Sequence, residues 1–138
     1  MTHEERVKIL FEEACRALKI QDITLRFMRG RKVPVNTARN YSLGYIDLRK
    51  RAITLDILTP RRREPKSLKS LARVLAHEIA HLQKPPYQQR YRGRWIVRQH
   101  YPAFYRQVNR NIKKLFKNRT LAALFEEHQT LDKKDFLS

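Results

Sequence analysis

The sequence predicts an α+β domain, in which a small antiparallel sheet packs on one central helix between flanking helices. Three observations predict this class. Residues 23–57 contain short alternating segments typical of strands, residues 67–84 form an apolar run of helix formers, and both ends of the chain show helical periodicity. A chain of 138 residues can bury a single core, so we expect one domain spanning residues 1–138.

The N-terminal segment, residues 1–20, predicts an amphipathic helix. Thr2 is a suitable N-cap, and Glu5 three positions later completes a capping box. Apolar residues at helical spacing mark the face that packs on the core: Val7, Leu10, Phe11, Ala14 and Leu18. This charged segment lacks the apolar core of a signal peptide, and no later run is long enough to span a bilayer. We therefore expect a cytoplasmic protein without a transmembrane segment.

Three strands are predicted within residues 23–57, the segment assigned to the small sheet. Residues 23–27 alternate between apolar and polar side chains. Residues 41–46 and 52–57 are strand-like segments on either side of a polar turn, which is the arrangement of a β-hairpin. A basic connection with prolines at both ends, residues 60–65, then leads into the next helix.

The helix predicted over residues 67–84 contains the pattern H-E-x-x-H, formed by His77, Glu78 and His81. Residues at i and i+4 share one helix face, about 5–6 Å apart at Cβ, so both imidazoles can bind a single zinc ion. Glu78 is turned about 100° around the axis from His77. From there its carboxylate can take a proton from a metal-activated water without binding the metal. The spacing predicts one Zn²⁺ per chain, with Glu78 as the general base.

A chance match is the alternative, because the pattern fixes only three positions. The surroundings favour a metal site, since Glu78 is the only Asp, Glu, Lys or Arg from Val74 to Leu82. Two histidines and a glutamate on an apolar helix are costly to bury unless a partner such as a metal ion compensates them. The single cysteine, Cys15, excludes an internal disulfide and a thiolate zinc cluster.

A catalytic zinc ion needs a third protein ligand and one open position for water. Four downstream residues are candidates: His100, Glu126, Glu127 and His128. We favour His100, because it begins a helix predicted over residues 100–118, with Pro102 in its first turn and an apolar face directed to the core. The two glutamates belong to a C-terminal helix and tail predicted over residues 121–138, and either would complete a His-His-Glu site instead.

The chain is strongly basic, with a formal net charge of +18 from 31 Lys and Arg against 13 Asp and Glu. This charge predicts a polyanionic partner: DNA or RNA, an acidic protein or an acidic membrane surface. No acidic residue occurs from Ile79 through Phe125, and residues 85–99, which give no clear secondary structure, mix arginines with aromatics. The predicted nucleic-acid contacts are Arg90, Arg92, Arg94, Trp95, Arg98, Lys113 and Lys114.

Three segments of the chain resemble the minimal zincin metallopeptidases, closest to the SprT-like and YgjP-like (WLM) group. They are the glycine-led hairpin Gly44–Asp47 with Ile53–Leu55, the zinc helix Val74–Leu82, and His100–Tyr105, which is similar to the family pattern H-x-x-x-F/W. The resemblance implies a zincin-like fold, peptide hydrolysis, and the third-ligand role for His100. It also implies that a peptide substrate lies along an edge strand, for which residues 52–57 are the candidate.

The resemblance further implies a partner, since SprT-like enzymes include proteases that degrade proteins crosslinked to DNA. We therefore expect a zinc peptidase that acts on protein or peptide substrates at or near nucleic acid. Two other functions stay open: a nucleic-acid-binding module with a structural zinc, and a non-peptidase hydrolase on the same scaffold. Tyr87, Tyr101 and Tyr105 are candidates for stabilising the oxyanion. Gln83 departs from the family pattern, in which this position is usually apolar.

Overall fold

The computed structural model describes residues 1–28, 44–60 and 62–127. Strand-like residues 41–43, His128 and the tail predicted after it lie outside these residues. The described elements are α1 (His3–Ala17), β1 (Thr24–Phe27), β2 (Gly44–Asp47), β3 (Ala52–Leu55), α2 (Leu68–Gln83), β4 (Tyr87–Tyr91), β5 (Arg94–Arg98), α3 (Pro102–Lys117) and a final helix α4 over residues 119–127. The predicted α+β class is confirmed.

Helix α1 begins at the cap that the sequence predicts. The Thr2 side chain accepts a hydrogen bond from Glu5 N–H at 3.1 Å, and the Glu5 carboxylate accepts one from Thr2 N–H at 3.0 Å. This capping box satisfies two backbone donors that a helix start would otherwise leave without partners. The apolar face of α1, including Val7 and Leu10, is fully buried in the main core.

The three-stranded sheet has the order β1-β3-β2 and is mixed. Strands β2 and β3 form the predicted antiparallel hairpin, but β1 pairs with β3 in parallel, from Thr24 opposite Ala52 to Phe27 opposite Leu55. The expectation of an antiparallel sheet is therefore wrong for β1. The expectation that residues 52–57 form the edge strand is also wrong, because β3 is central and wholly buried. In the described part of the chain, the sheet edge beside the H-E-x-x-H helix is β2.

Gly44 allows β2 to lie directly against α2. A Cβ at this position would be 3.0 Å from both Leu55 Cδ2 and Thr54 O, and 3.1 Å from Val74 Cγ1 of α2. Contacts this short require the neighbouring atoms to move, and one of them is backbone. The glycine thus sets how closely the strand approaches the helix that carries the candidate ligands.

Helix α2 is the central element and matches the predicted zinc helix. Ser67 caps it, accepting a hydrogen bond from Ser70 N–H at 3.2 Å, and the helix ends before the Pro85-Pro86 pair. Nine of its residues are buried, because the sheet covers one side and α1 and α3 cover others. Among the described residues, no helix is both long enough and apolar enough to cross a membrane.

Residues 87–98, for which the sequence predicts no clear structure, form the two-stranded hairpin β4–β5. Tyr87 pairs with Arg98 at its base and Tyr91 pairs with Arg94 at its tip. The turn residues Arg92 and Gly93 both have positive φ, at 50° and 78°, as a type I′ hairpin turn requires. The alternation expected of a half-buried strand is missing, because nearly every residue of the hairpin is exposed.

Helices α3 and α4 close the other side of the core. Pro102 occupies the first turn of α3, as predicted, and the buried face includes Phe104 and Leu115. Asn118 separates the two helices, and its Oδ1 accepts a hydrogen bond from Leu121 N–H at 3.0 Å. Helix α4 therefore begins two residues before the predicted position.

Candidate metal centre

Helix α2 presents His77 and His81 on one face, as the i, i+4 spacing requires. Their rings lie with centroids 5.1 Å apart and nearly perpendicular, at 78°. His81 is buried at 7% exposure, and His77 is half-buried. Both side chains line the same cleft, so helical periodicity alone explains their convergence.

His100 joins these two histidines from a distant part of the sequence. It lies in the short connection between β5 and α3, two residues before the helix begins, rather than at the helix start as expected. One nitrogen from each of the three imidazoles lies within 4.8 Å of the others. In the described residues this group contains no carboxylate, so Glu126 and Glu127 of α4 are not part of it.

The ring of Phe104, on α3, packs against all three imidazole rings. Its centroid lies 5.0 Å from that of His77, 4.5 Å from that of His81 and 5.1 Å from that of His100. The phenylalanine is fully buried, and its ring is stacked on that of His81. It follows His100 by four residues, so the H-x-x-x-F pattern places a ligand candidate and its packing surface together.

The electrostatics of the two helix histidines suit metal binding. Burial, together with the neighbouring His77 and His100, lowers the pKa of His81 to about 4. Burial and His100 also lower the pKa of His77. Both imidazoles are therefore neutral at neutral pH, which is the protonation state in which histidine binds metals. Three imidazole nitrogens gathered around one point form a donor set that fits zinc, and the remaining side is open to the cleft.

Glu78 lies beside the histidines and is 7% exposed. Burial raises its pKa to about 7 in the absence of a metal ion. The side chain lines the cleft together with the three histidines, yet it is not one of the clustered ligand candidates. A carboxyl group that titrates near neutral pH beside such a cluster is positioned to accept and release a proton.

The cleft over the cluster has a volume of about 320 Å³. One wall is β2 and the turn after it, which contribute Tyr45, Ile46 and Leu48. Pro86 and Gln99, the residues that flank the β4–β5 hairpin, also line the cleft. Apart from Glu78 and the histidines, the described residues that line the cleft include no ionisable group other than the phenol of Tyr45.

The three tyrosines that the sequence offers for oxyanion stabilisation are not among the residues that line the cleft. The hydroxyl of Tyr101 donates to Pro85 O at 3.0 Å, and the ring of Tyr87 packs on Tyr101 with centroids 4.9 Å apart. Tyr105 is 51% exposed on α3, and its ring centroid lies 6.1 Å from that of His100. Among the described tyrosines, Tyr45 lines the cleft; the sequence did not indicate it, because it follows Gly44 in a strand and belongs to no motif.

The predicted nucleic-acid contacts fall on two exposed surfaces. The hairpin carries one group, Arg90, Arg92, Arg94, Trp95 and Arg98. Trp95 is 67% exposed, and the Arg90 guanidinium lies 5.9 Å from its ring centroid. Lys113 and Lys114 lie on the solvent side of α3. All seven side chains are accessible, and the hairpin adjoins the metal-site cleft through Pro86 and Gln99.

Comparison with known proteins gives one similar solved structure. No protein-family model and no curated protein sequence matches the chain. The crystal structure of the metallopeptidase zymogen of Pyrococcus abyssi abylysin is similar over 90% of this chain and 92% of that chain. The identity is 22% and the TM-score is 0.46.

Proposed function

We propose that this protein is a zinc-dependent metallopeptidase of the SprT-like type. His77, His81 and His100 would hold one zinc ion, and Glu78 would act as the general base. The observation that carries the proposal is the convergence of three histidines and one buried glutamate in a single cleft. The open side of the cluster leaves space for water and substrate, which distinguishes a catalytic from a structural site.

The chain's own residues account for the proton transfers of peptide hydrolysis. A bound zinc ion supplies a Lewis acid that polarises a carbonyl oxygen and lowers the pKa of water. Glu78 accepts a proton from the attacking water as its oxygen bonds to the carbonyl carbon. The same carboxyl then gives the proton to the amide nitrogen as the C–N bond breaks. The apolar part of the lining, together with β2 at the edge of the described sheet, would hold the peptide beside these groups.

The test is metal analysis combined with one variant. Protein prepared with zinc should contain about one ion per chain and should hydrolyse an unstructured protein such as casein. Glu78→Gln should retain the zinc and lose hydrolysis, by a factor of about 10² or more, because only the proton acceptor is removed.

Two results would contradict this proposal. Absence of zinc binding by the folded chain would remove the metal centre. Loss of zinc from Glu78→Gln would show that the carboxylate is a ligand and not a base.

A structural zinc in a nucleic-acid-binding module, the alternative function, would give zinc binding without hydrolysis of proteins. Hydrolysis of small amides but not of proteins would instead point to another hydrolase.

We also propose that the enzyme acts at single-stranded nucleic acid, bound by the β4–β5 hairpin. The hairpin presents guanidinium groups for phosphates and exposed aromatic rings on which unpaired bases can stack. Direct strand partners share a sheet face, so Arg90 and Trp95 lie on one side and Tyr91 and Arg94 on the other. Because the hairpin adjoins the cleft, protein held on a bound strand would lie near the catalytic groups.

The nucleic-acid proposal predicts strongly salt-dependent binding. Arg92→Glu with Arg94→Glu should weaken binding of a single-stranded oligonucleotide, and the slope of log affinity against log salt should fall by roughly 0.7 for each phosphate that the variant no longer neutralises. Trp95→Ala should weaken binding with little change in that slope, because stacking releases no counterions. Zinc content should be unchanged in both variants.

A matched control is available on α1. Lys8→Glu with Arg16→Glu changes the net charge by the same amount on exposed positions outside the hairpin. If this control weakens binding as much as the hairpin variant does, total charge and not the hairpin is responsible. Binding that does not depend on salt would exclude a phosphate-binding surface altogether.

A further inference from the structure

A buried amide connects the two helices that form the metal centre. Asn111 lies in the middle of α3 and is fully buried. Its Nδ2 donates to Ala76 O at 3.1 Å and to Gln83 Oε1 at 2.7 Å, both on α2. Its Oδ1 accepts from Gln107 Nε2 at 2.9 Å. An amide with both donors and its acceptor engaged is held in one orientation.

Small side chains on α2 make this contact possible. Ala76 and Ala80 are fully buried, and Ala80 packs against Phe104 and Val108 of α3. With only a methyl group at these positions, α3 approaches closely enough for a side chain to reach the α2 backbone. The carbonyl that Asn111 contacts belongs to the peptide unit between Ala76 and His77, directly before the first candidate ligand.

The same face of α3 leads from Asn111 to the metal centre. Phe104 precedes Asn111 by seven positions, a spacing that places both on one side of a helix. Phe104 contacts all three histidine rings, and His100 lies just before the helix begins. A displacement of α3 along or around α2 would therefore move His100 and Phe104 relative to His77 and His81.

We propose that Asn111 is a positioning residue of the metal centre. By donating hydrogen bonds to both Ala76 O and Gln83 Oε1, Asn111 fixes the register of α3 on α2. That register sets the distance of His100 from the other two candidate ligands. The proposal rests on the metal centre of the proposed function. It also explains Gln83, the polar residue at a position expected to be apolar, as the second acceptor that Asn111 requires.

The test compares metal binding with stability. Asn111→Leu keeps the number of side-chain heavy atoms but is bulkier and removes every hydrogen bond, so thermal unfolding of the metal-free chain should shift to lower temperature, as it should in the control below. Its zinc affinity, measured by chelator competition, should fall on the order of tenfold, as for other groups that orient metal ligands indirectly. The visible absorption of the Co²⁺-loaded variant should differ from the parent in intensity and position. Gln83→Met should show a smaller change in the same direction, because the bond to Ala76 O remains.

Asn118 provides a matched control at the far end of α3. Its Nδ2 donates to Glu13 Oε1 at 3.0 Å, and its Oδ1 accepts from Leu121 N–H, so it also joins elements through an amide. Asn118→Ala should lower thermal stability and leave zinc affinity and the Co²⁺ spectrum as in the parent.

If the parent binds zinc and Asn111→Leu has the same affinity and Co²⁺ spectrum, the positioning role is overturned while the proposed function stands. If the parent binds neither Zn²⁺ nor Co²⁺, the positioning role and the proposed function are both overturned. Should Asn111→Leu fail to fold, Gln83→Met decides by the same two measurements.

Discussion

At the scale of single residues, Glu78 is distinguished by its surroundings. It is the only acidic residue between Pro65 and Phe125, in a chain whose formal net charge is +18. Burial raises its pKa to about 7, whereas a solvated glutamate on the surface would be fully ionised at neutral pH. His77 and His81 beside it have lowered pKa values, so they are neutral and provide no compensating charge. A cation bound by the histidines would supply that charge beside Glu78.

The proposed third-ligand role of His100 gives a prediction at this scale. His100→Ala should weaken zinc binding by more than about 100-fold, which exceeds the effect of removing a group outside the coordination sphere. Chelator competition measures the affinity, and thermal unfolding of the metal-free protein checks the fold. Glu126→Gln and Glu127→Gln are the controls and should bind zinc as the parent does. Loss of zinc from either control, with His100→Ala unaffected, would establish a His-His-Glu site instead.

At the scale of elements, the cleft depends on how closely β2 lies against α2. The strand contributes Gly44, Tyr45 and Ile46 to the cleft, and at Gly44 it lies so close to α2 that an added Cβ would be 3.1 Å from Val74 Cγ1. Pro86 and Gln99, on either side of the β4–β5 hairpin, also line the cleft, and the hairpin separates His81 from His100 along the chain. The spacing of strand and helix should therefore affect substrate binding more than metal binding.

Gly44→Ala tests whether the spacing of β2 and α2 affects substrate binding more than metal binding. The added methyl group would meet Val74, Leu55 and the Thr54 carbonyl, so we expect a loss of about 1–3 kcal/mol in the free energy of unfolding. Displacement of β2 should raise KM for peptide substrates while zinc affinity stays unchanged. Gly93→Ala in the hairpin turn is the contrasting variant, since a Cβ there meets no atom within 4 Å and the cost comes from its positive φ. Equal effects of the two variants on KM would contradict the role of Gly44.

At the scale of the whole molecule, a buried ion pair connects the end of the sheet to the segment that enters α2. Asp56 is 1% exposed and accepts hydrogen bonds from Arg63 at 2.9 and 3.0 Å. The Lys66 ammonium donates a hydrogen bond to the backbone carbonyl oxygen of Asp56 at 2.8 Å. Burial raises the pKa of Asp56, but hydrogen bonds from Arg63 and Leu58 and the charge of Lys66 outweigh it and hold the pKa below its usual range.

This ion pair predicts acid sensitivity. A carboxyl group whose folded-state pKa is depressed stabilises the fold above its unfolded-state pKa, and that contribution is lost as the pH falls through the folded-state value. Unfolding measured against pH should therefore show a loss of stability below about pH 4. Self-repulsion in so basic a chain adds to the loss as other carboxylates become protonated.

Asp56→Asn isolates the contribution of the pair. The variant should be less stable at neutral pH by about 3 kcal/mol, because Arg63 keeps a buried charge without its carboxylate. Its stability should also depend less on pH below about 4 than that of the parent. A parallel loss in parent and variant across this range would show that other carboxylates dominate acid unfolding.

Much of this protein was determined by local sequence. The capping box of Thr2 and Glu5, the extent of α2 and the shared face of His77 and His81 follow from helical periodicity, which depends on residues only a few positions apart. The β2–β3 hairpin was also predictable, because its two strands are joined by a short polar turn. The position of Pro102 in the first turn of α3 was predictable as well, because proline suits a helix start.

Tertiary structure decided the features that depend on distant residues. The parallel pairing of β1 with β3 joins segments separated by the whole β2 region, so alternation could not give its direction. The β4–β5 hairpin was missed because both of its faces are exposed and the apolar pattern that indicates a strand is absent. The meeting of His100 with α2, and of Asn111 with Ala76 and Gln83, results from helix packing. Sequence supplied the donor groups, and packing between elements determined which of them lie together, because side-chain contacts across a core have no periodic signature along the chain.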